Sequence, residues 1–458
     1  MIDRLVIFGA TGDLTARYLL PGLAALQAAG LLSERFQLTG AGREDWESEQ
    51  FRSWAAGRLD RHAPHLPATA RQAVVSASEY RQADVRDADS VAAAIAGRAG
   101  KEGGPVGAYL ALPPPVFPSA VRALRDAGLP TGSRIVLEKP FGEDLASAES
   151  LNRLLAETMS EQDVFRVDHF LAMTTVQNIL GFRLANRVIE PIWNSAHIAE
   201  VDIVWDESLA LEGRAVYYDG VGALKDMVQN HLLQVLCLIA MEPPVSLGER
   251  DLRDRKVDVL RSVRPLTAAS AARTSRRARY TAGRIADRAI PAYVDEAGVD
   301  PALGTETFAE VKLEIENWRW LGTVFRLRTG KALACDRKEV IVRFREVPHM
   351  TSGAATASAP NVLRFGLEPE SLALELYGVG ARVGELSRQT LAAALEPPEF
   401  PAYGQLLLGV LNGEAALSIR GDEAEEAWRV VTPVLDAWSS DLVPMEEYPA
   451  GSHRPEPR

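Results

Sequence analysis

Cysteine is scarce: the 458 residues hold two, Cys237 and Cys335, with no CxxC pair and no Cys/His ligand spacing around them. That excludes a disulfide framework, supports no zinc or other metal site, and leaves both residues to be read as reduced, buried thiols. Long apolar runs are lacking too. No stretch approaches the roughly 20 apolar residues that cross a bilayer. The opening MIDRLVIFGA carries Asp3 and Arg4 beside an apolar run too short for a signal-peptide core. A cytoplasmic protein is expected. Positive charge is in deficit: 50 Lys+Arg against 62 Asp+Glu give a formal net charge of -12. No general attraction to nucleic acid or to an anionic membrane follows.

No tract concentrates the 35 Gly or 27 Pro, and the chain is 47% hydrophobic and 24% charged. Disorder, collagen and coiled coil are excluded as the main architecture. At about three times the roughly 150 residues of a typical domain, two or three cores are expected.

Residues 5–8 (LVIF) are a short β-branched and aromatic run that stops at Gly9-Ala10-Thr11-Gly12-Asp13-Leu14, and an apolar-periodic stretch over 18–32 follows. The pattern is strand, tight turn, helix. Further short apolar runs at 36–39, 108–112 and 134–137 alternate with helical patterns. This rhythm predicts a doubly wound parallel sheet, a Rossmann-type α/β domain over residues 1–175. After 176 the rhythm changes. Longer helical patterns (176–184, 224–240) mix with strands at 199–205, 307–314, 324–329 and 340–344 that read as antiparallel. An α+β domain over 176–458 with a large, mainly antiparallel sheet is expected. Residues 250–288 hold eleven arginines, which either bind a polyanion or form a solvated surface facing the acidic remainder; the second is favoured. Residues 352–360 (SGAATASAP) read as a low-complexity loop, and there is no internal repeat.

Glycine at 9 and 12 lets backbone approach a pyrophosphate closely, while the following helix N-terminus attracts the anion. The third position of the usual GxGxxG spacing is Thr15, so a purely structural turn stays open. Arg43, just after the second strand, sharpens the functional reading. A guanidinium there suits a 2′-phosphate, whereas a carboxylate suits a ribose 2′-hydroxyl. NADP is favoured, and NAD stays open because Glu44 and Asp45 follow immediately.

Of seven histidines, His169 in RVDHFL and His231 in KDMVQNH stand apart. Oxidising an alcohol requires a base for the hydroxyl proton as hydride leaves carbon, and neutral imidazole suits that task near pH 7. A carboxylate on the far nitrogen fixes the tautomer and stabilises the imidazolium.

The segments FGATGDLTARYLLPGL, YLALPPPVF, LEKPFGEDLASAESLN, RVDHFLAMTTVQNI, YYDGVGALKDMVQNHLLQVLCLIAMEPP, TETFAEVKLEIENWRWLGTVFRLRTGKAL and YPAGS resemble the glucose-6-phosphate dehydrogenase family, in order and over nearly the whole chain. The resemblance implies an N-terminal dinucleotide-binding domain, a C-terminal domain whose sheet builds homodimers or homotetramers, and NADP-linked oxidation of a hexose C1 hydroxyl to the 1,5-lactone. It implies His231 as the general base, Asp168 as its orienting carboxylate and Lys139 as a bridge between sugar and nicotinamide. Glu207 and Asp226 are implied as acceptors from sugar hydroxyls, Lys331 as a substrate lysine and His169 as a phosphate contact. Gly9, Ala10, Thr11, Gly12, Asp13, Leu14, Arg43, Pro113 and Lys139 are implied as cofactor-binding.

Departures from the family pattern carry information as well. Phe170 replaces a tyrosine, Met173 a lysine and Thr174 a glutamate; Tyr18 stands where the family carries a substrate-site lysine, and Asp336 where a basic residue is frequent. Each charge-assisted bond to phosphate contributes roughly 1.5–3 kcal/mol, so these changes weaken a phosphate site unless another residue compensates. The substrate is therefore expected to be glucose 6-phosphate or a hexose without the phosphate or with another group at C6. Two other readings are a sugar oxidoreductase of the Gfo/Idh/MocA type and a catalytically silent NADP-binding homologue.

Overall fold

Arg4–Phe8 forms a strand because Leu5, Val6, Ile7 and Phe8 are bulky side chains that are all buried, which favours the pleated backbone. It runs parallel to Gln37–Gly42 on one side and to Gly107–Leu110 on the other. The full sheet has the order Ser418–Ile419, Val164–Val167, Arg134–Glu138, Gly107–Leu110, Arg4–Phe8, Gln37–Gly42, Ser78–Gln82. Ser418–Ile419 is antiparallel to its neighbour and the other pairs are parallel. Strand order reverses between Arg4–Phe8 and Gly107–Leu110, the switch point beyond whose carboxyl ends such sheets bind ligands.

The computed structural model describes residues 1–96, 104–349, 359–381, 386–396 and 398–455. Two compact units emerge. The first comprises Met1–Met173, Pro244–Asp254 and Pro398–Glu425; the second comprises Thr174–Pro243, Arg255–Pro397 and Glu426–Arg458. The sequence suggested an unbroken second region from 176, whereas residues 244–254 and 398–425 cluster with the first unit. Two contacts explain the return of 398–425. Ser418–Ile419 adds a strand beside Val164–Val167, and helix Ala402–Asn412 packs on helix Leu20–Ala28 through facing glycines. A Cβ on Gly22 would stand 3.1 Å from the Gly404 nitrogen, so neither backbone can approach this closely with a side chain between them.

The first helix also differs from expectation. It is helical from residue 13, with a π-helical segment at Thr15–Leu19, and ends at Ala28 rather than 32. Gly30 adopts φ +71°, and the Leu31 amide reaches back to the Leu26 carbonyl at 2.9 Å, a glycine stop of the usual kind.

The second unit is built on a nine-stranded sheet: Leu386–Ala393, Glu370–Val379, Val362–Glu368, Arg337–Phe344, Ile198–Asp206, Val324–Gly330, Phe308–Glu314, Ser275–Thr281, Met445–Pro449. Six of its eight pairs are antiparallel; Ile198–Asp206 with Val324–Gly330, and Ser275–Thr281 with Met445–Pro449, are parallel. The expected helix at 224–240 is a π-helix, Leu224–Leu232, running into an α-helix, Leu233–Ala240, in which every residue is buried. A mostly apolar helix buried on every side belongs in a core, and its polar side chain, Gln234, accepts from the Lys256 ammonium at 3.0 Å. Cys237 lies there, but Cys335 is exposed, against the expectation of two buried thiols.

The arginine-rich segment is a paired surface. Arg264 meets Glu314 and Glu316, Arg276 meets Glu446, Arg277 meets Asp441, Arg279 meets Glu447 and Arg288 meets Glu212. Acidic partners from the same unit satisfy these cations, which removes the motive for a polyanion site. Residues 352–358 of the low-complexity loop lie outside the described residues. Among those described, no helix is long and apolar enough to cross a membrane.

Candidate active site

In the first unit, the glycine turn is shaped by its neighbours. Gly9 has φ +83°, and a Cβ there would lie 2.2 Å from the Ala111 carbonyl oxygen. The Gly9 and Ala10 amides donate to the Ala41 carbonyl at 2.8 and 3.1 Å, and Gly12 donates to Gly9 at 3.0 Å. The turn thus sits at the switch point with the helix from Asp13 and Leu14 starting directly behind it. Pro113 opens the loop after Gly107–Leu110, on the other wall of that crevice. A turn with no room for a side chain, backed by a helix N-terminus, fits a dinucleotide pyrophosphate.

Two charged residues flank the turn. Arg43 is exposed just beyond Gln37–Gly42. Glu44 accepts from the Thr11 hydroxyl at 2.9 Å and from the Tyr80 hydroxyl at 3.0 Å. Partial burial would raise its carboxyl, but hydrogen bonds from its own backbone, Thr11 and Tyr80, with the Arg43 charge, hold it below the usual carboxylate range. Asp13, by contrast, forms an exposed 2.7 Å pair with Arg17.

At the end of strand Arg134–Glu138, Lys139 begins the turn and Glu138 is the centre of a polar cluster. Tyr109, wholly buried, donates its hydroxyl to Glu138, and Tyr403 from helix Ala402–Asn412 donates to it as well. Burial pushes the Glu138 carboxyl up to about 7, against the pull of the Tyr109 bond and the Lys139 ammonium and with help from the Asp168 charge. Such a group changes charge near neutrality, the behaviour that marks functional sites. Asp168 is buried and accepts from the Phe170 amide at 2.9 Å, capping the short turn His169–Ala172.

His169 stacks on Tyr403, with ring centres 5.6 Å apart and planes at 18°, and Tyr403 in turn lies 5.1 Å from Tyr18. Tyr18 is 47% exposed, so an aromatic run leads from the surface to His169. Phe170, 2% exposed, faces the core; Met173 ends this segment.

In the second unit, His231 is 1% exposed on the π-helix Leu224–Leu232. At 3.6 residues per turn, Asp226 and His231 would point about 140° apart; the wider winding of a π-helix, bonded between residues five apart, brings them toward one face. Glu306 fixes the start of this helix by accepting from the Leu224 amide at 2.9 Å, and burial pushes its carboxyl up to about 7. Asp226 accepts from the Tyr217 hydroxyl at 3.4 Å. Lys331, following strand Val324–Gly330, donates to Glu207 at 2.7 Å and lies 5.3 Å from the centre of the Tyr218 ring. Asp336, flagged as a departure from a basic residue, accepts from the Ser208 amide and hydroxyl at 2.6 and 2.7 Å, which ties down the segment beside Glu207.

Within the first unit the structure gathers Gly9, Ala10, Thr11, Gly12, Asp13 and Leu14 at one turn with Arg43 at its flank, and within the second it joins Glu207 to Lys331. Sequence reasoning missed Tyr109, Glu138, Tyr403 and Glu306 as site residues. Glu138 and Glu306 sat in recognised blocks without a role, and Tyr403 lies 234 residues beyond His169 with no local signal.

Comparison with known proteins matches residues 6–178 to the family profile "Glucose-6-phosphate dehydrogenase, NAD binding domain" and residues 180–458 to "Glucose-6-phosphate dehydrogenase, C-terminal domain". The chain is 37% identical to the glucose-6-phosphate 1-dehydrogenase of Rhizobium meliloti, covering 98% of this chain and 94% of the relative. It is 40% identical to that of Treponema pallidum over 98% of this chain and 92% of the relative. A solved glucose-6-phosphate dehydrogenase in complex with glucose-6-phosphate superposes with a TM-score of 0.89 at 29% identity, covering 99% of this chain and 96% of the other.

Proposed function

The chain belongs to the glucose-6-phosphate dehydrogenase family, and from that premise we propose that it oxidises the C1 hydroxyl of a hexopyranose, glucose 6-phosphate foremost, to the 1,5-lactone. A bound nicotinamide dinucleotide supplies the hydride acceptor. His231 takes the hydroxyl proton as the C1 hydrogen leaves with its electron pair, and Asp168 serves as the carboxylate that orients this base. Glu207 and Asp226 accept from sugar hydroxyls, Lys331 and His169 contact the phosphate, and Lys139 holds the sugar toward the nicotinamide. Gly9, Ala10, Thr11, Gly12, Asp13, Leu14 and Pro113 cradle the dinucleotide, and Arg43 suits the 2′-phosphate of NADP. We read the protein as a cytoplasmic homodimer or homotetramer with residues 1–175 and 176–458 as its working halves. Family membership displaces the Gfo/Idh/MocA alternative.

One observation supports the reading most strongly: the π-wound helix that turns Asp226 and His231 toward one face lies in a segment matched along its whole length to the family's C-terminal domain. The test is reduction of NADP by purified protein with glucose 6-phosphate, followed by identification of the lactone. A 3-keto product, or no reduction with any hexose, overturns it.

A second reading keeps the chemistry and drops the phosphate. It draws on the buried Phe170 ring, on Tyr18 in tilted contact with Tyr403, and on Met173, where the resemblance puts a tyrosine and lysines. Comparing kcat/KM for glucose 6-phosphate and glucose separates the two; a strong preference for the ester removes the second.

A further inference from the structure

We propose that Glu306 is a positioning residue for the base: its carboxyl group holds the first turn of the π-helix Leu224–Leu232 and so sets where His231 stands. The inference rests on the dehydrogenase reading above, which makes His231 the base, and concerns what keeps that base in register.

Thr305-Glu306-Thr307 lies just before strand Phe308–Glu314, and each of the three grips a different part of the second unit's polar set. The Glu306 side chain accepts from the Leu224 amide at 2.9 Å. Its backbone carbonyl accepts from the Ala223 amide and from the Tyr218 hydroxyl, each at 3.2 Å. The Thr305 hydroxyl accepts from the Gly220 amide at 2.9 Å, and the Thr307 carbonyl accepts from the Lys331 amide at 2.9 Å. Three consecutive residues thus tie the entry of the helix that carries Asp226 and His231 to the lysine that pairs with Glu207.

Gly222 makes room for the carboxyl group. It adopts φ +74°, and a Cβ there would overlap both Glu306 oxygens. Glu306 and Leu224 are buried, so removing the carboxyl leaves the Leu224 amide without an acceptor. A run of π-helix is uncommon, and the segment from Leu224 to Leu232 has the tighter α winding as its ordinary alternative. A change of winding at the first turn is passed to every residue after it, His231 included. Displacement of a reacting group by about 1 Å costs about a hundredfold in rate. The acceptor role survives protonation, because a neutral carboxyl keeps its carbonyl oxygen, and a glutamine amide offers the same oxygen at the same reach.

The test is turnover per binding site in the full-length protein. Calorimetric titration with NADP in the absence of sugar counts the sites, and initial rates with glucose 6-phosphate are divided by that count. Glu306→Ala is expected to lower turnover per site by about 10- to 100-fold while the dissociation constant for NADP stays within about twofold. Glu306→Asp withdraws the carboxyl by one methylene and keeps its charge; it is expected to lose more than about threefold, and it keeps the test valid if Glu306→Ala fails to fold. Glu306→Gln is expected to hold turnover within about threefold of the unaltered protein. A loss of folded molecules alone would lower the count of sites and leave turnover per site unchanged, and that result overturns the inference. So does turnover per site within about threefold of the unaltered protein in Glu306→Asp and in Glu306→Ala where it folds, or a loss in Glu306→Gln as large as in Glu306→Ala. If the unaltered protein binds NADP but reduces it with no hexose, the dehydrogenase reading falls, and this inference with it.

Discussion

Lys331 donates a 2.7 Å hydrogen bond to Glu207, 124 residues earlier in the chain, and both side chains are largely buried at the carboxyl ends of two adjacent parallel strands. The backbone reinforces the pair: the Glu207 amide donates to the Gly330 carbonyl at 2.8 Å. An ammonium and a carboxylate held this way form a rigid donor and acceptor set for a polar substrate. Lys331→Ala removes the donor and leaves Glu207 without its counter-ion. Loss of one charge-assisted bond predicts a fall in kcat/KM for glucose 6-phosphate of about 10- to 100-fold, mainly through KM. Initial-rate kinetics check it, and an unchanged KM would remove Lys331 from the substrate set.

The two glycines of the turn are unequal, and the inequality is measurable. At Gly9 both the positive φ and the Ala111 carbonyl oxygen, 2.2 Å from a Cβ, oppose any side chain; at Gly12 a Cβ would lie 3.1 Å from the Gly9 carbonyl oxygen. Gly9→Ala therefore moves the turn itself and is expected to lower stability by about 2 kcal/mol or more and to abolish dinucleotide binding. Gly12→Ala is expected to leave the melting temperature close to that of the unaltered protein. Equal thermal stability for the two variants would contradict this account.

The sequence patterns show why some of this was legible. Arg4–Phe8 and the turn after it are local: bulky residues, then glycines at the positions where backbone must come close, so strand and turn follow without knowledge of the rest of the chain. The mixed sheet was read as mainly antiparallel, yet the parallel pairing of Ile198–Asp206 with Val324–Gly330 joins strands more than a hundred residues apart and leaves no mark on either pattern. Tyr403 illustrates the same limit at the site. It reaches Glu138 and His169 because Gly22 and Gly404 let two helices touch, a relation that exists only after folding. Glu138 and Glu306 carried no role in the sequence reading; their elevated protonation comes from burial, which follows from the folded surroundings.

Glu306 makes stability depend on pH in an unusual direction. Burial raises its carboxyl from 4.5 to about 7 in the folded chain, so between these values the folded state holds more protons than the unfolded one. Its contribution is present in full below about pH 4.5 and is lost as pH rises to about 7, a change of about 3 kcal/mol. Glu306→Gln keeps an acceptor for the Leu224 amide and removes the titration. Chemical denaturation at pH 5 and pH 8 is expected to show a smaller loss of stability on raising the pH in the variant than in the unaltered protein. Parallel pH dependence in both would show that Glu306 ionises without penalty.

Tyr18 offers the most direct test of the altered substrate half. Its ring lies 5.1 Å from Tyr403, which stacks on His169, and the sequence resemblance puts a family lysine at Tyr18. Aromatic contacts of this kind contribute about 0.5–1.5 kcal/mol, and Tyr18 is 47% exposed, so exchanging it costs the fold little. Tyr18→Lys restores a cation without disturbing the buried Phe170. If the substrate carries a phosphate, a new ammonium contributes a charge-assisted bond of roughly 1.5–3 kcal/mol, and KM for glucose 6-phosphate falls by about tenfold or more with kcat little changed. Free glucose has no group to answer that charge, so its KM is expected to stay within about twofold. Steady-state kinetics with both sugars, on Tyr18→Lys and on a Tyr18→Met control of similar length without charge, separate charge from shape. A gain shared by the methionine variant would mean that the aromatic ring obstructs the sugar. A gain confined to lysine and to the phosphate ester would identify Tyr18 as the residue that weakens phosphate recognition in this enzyme.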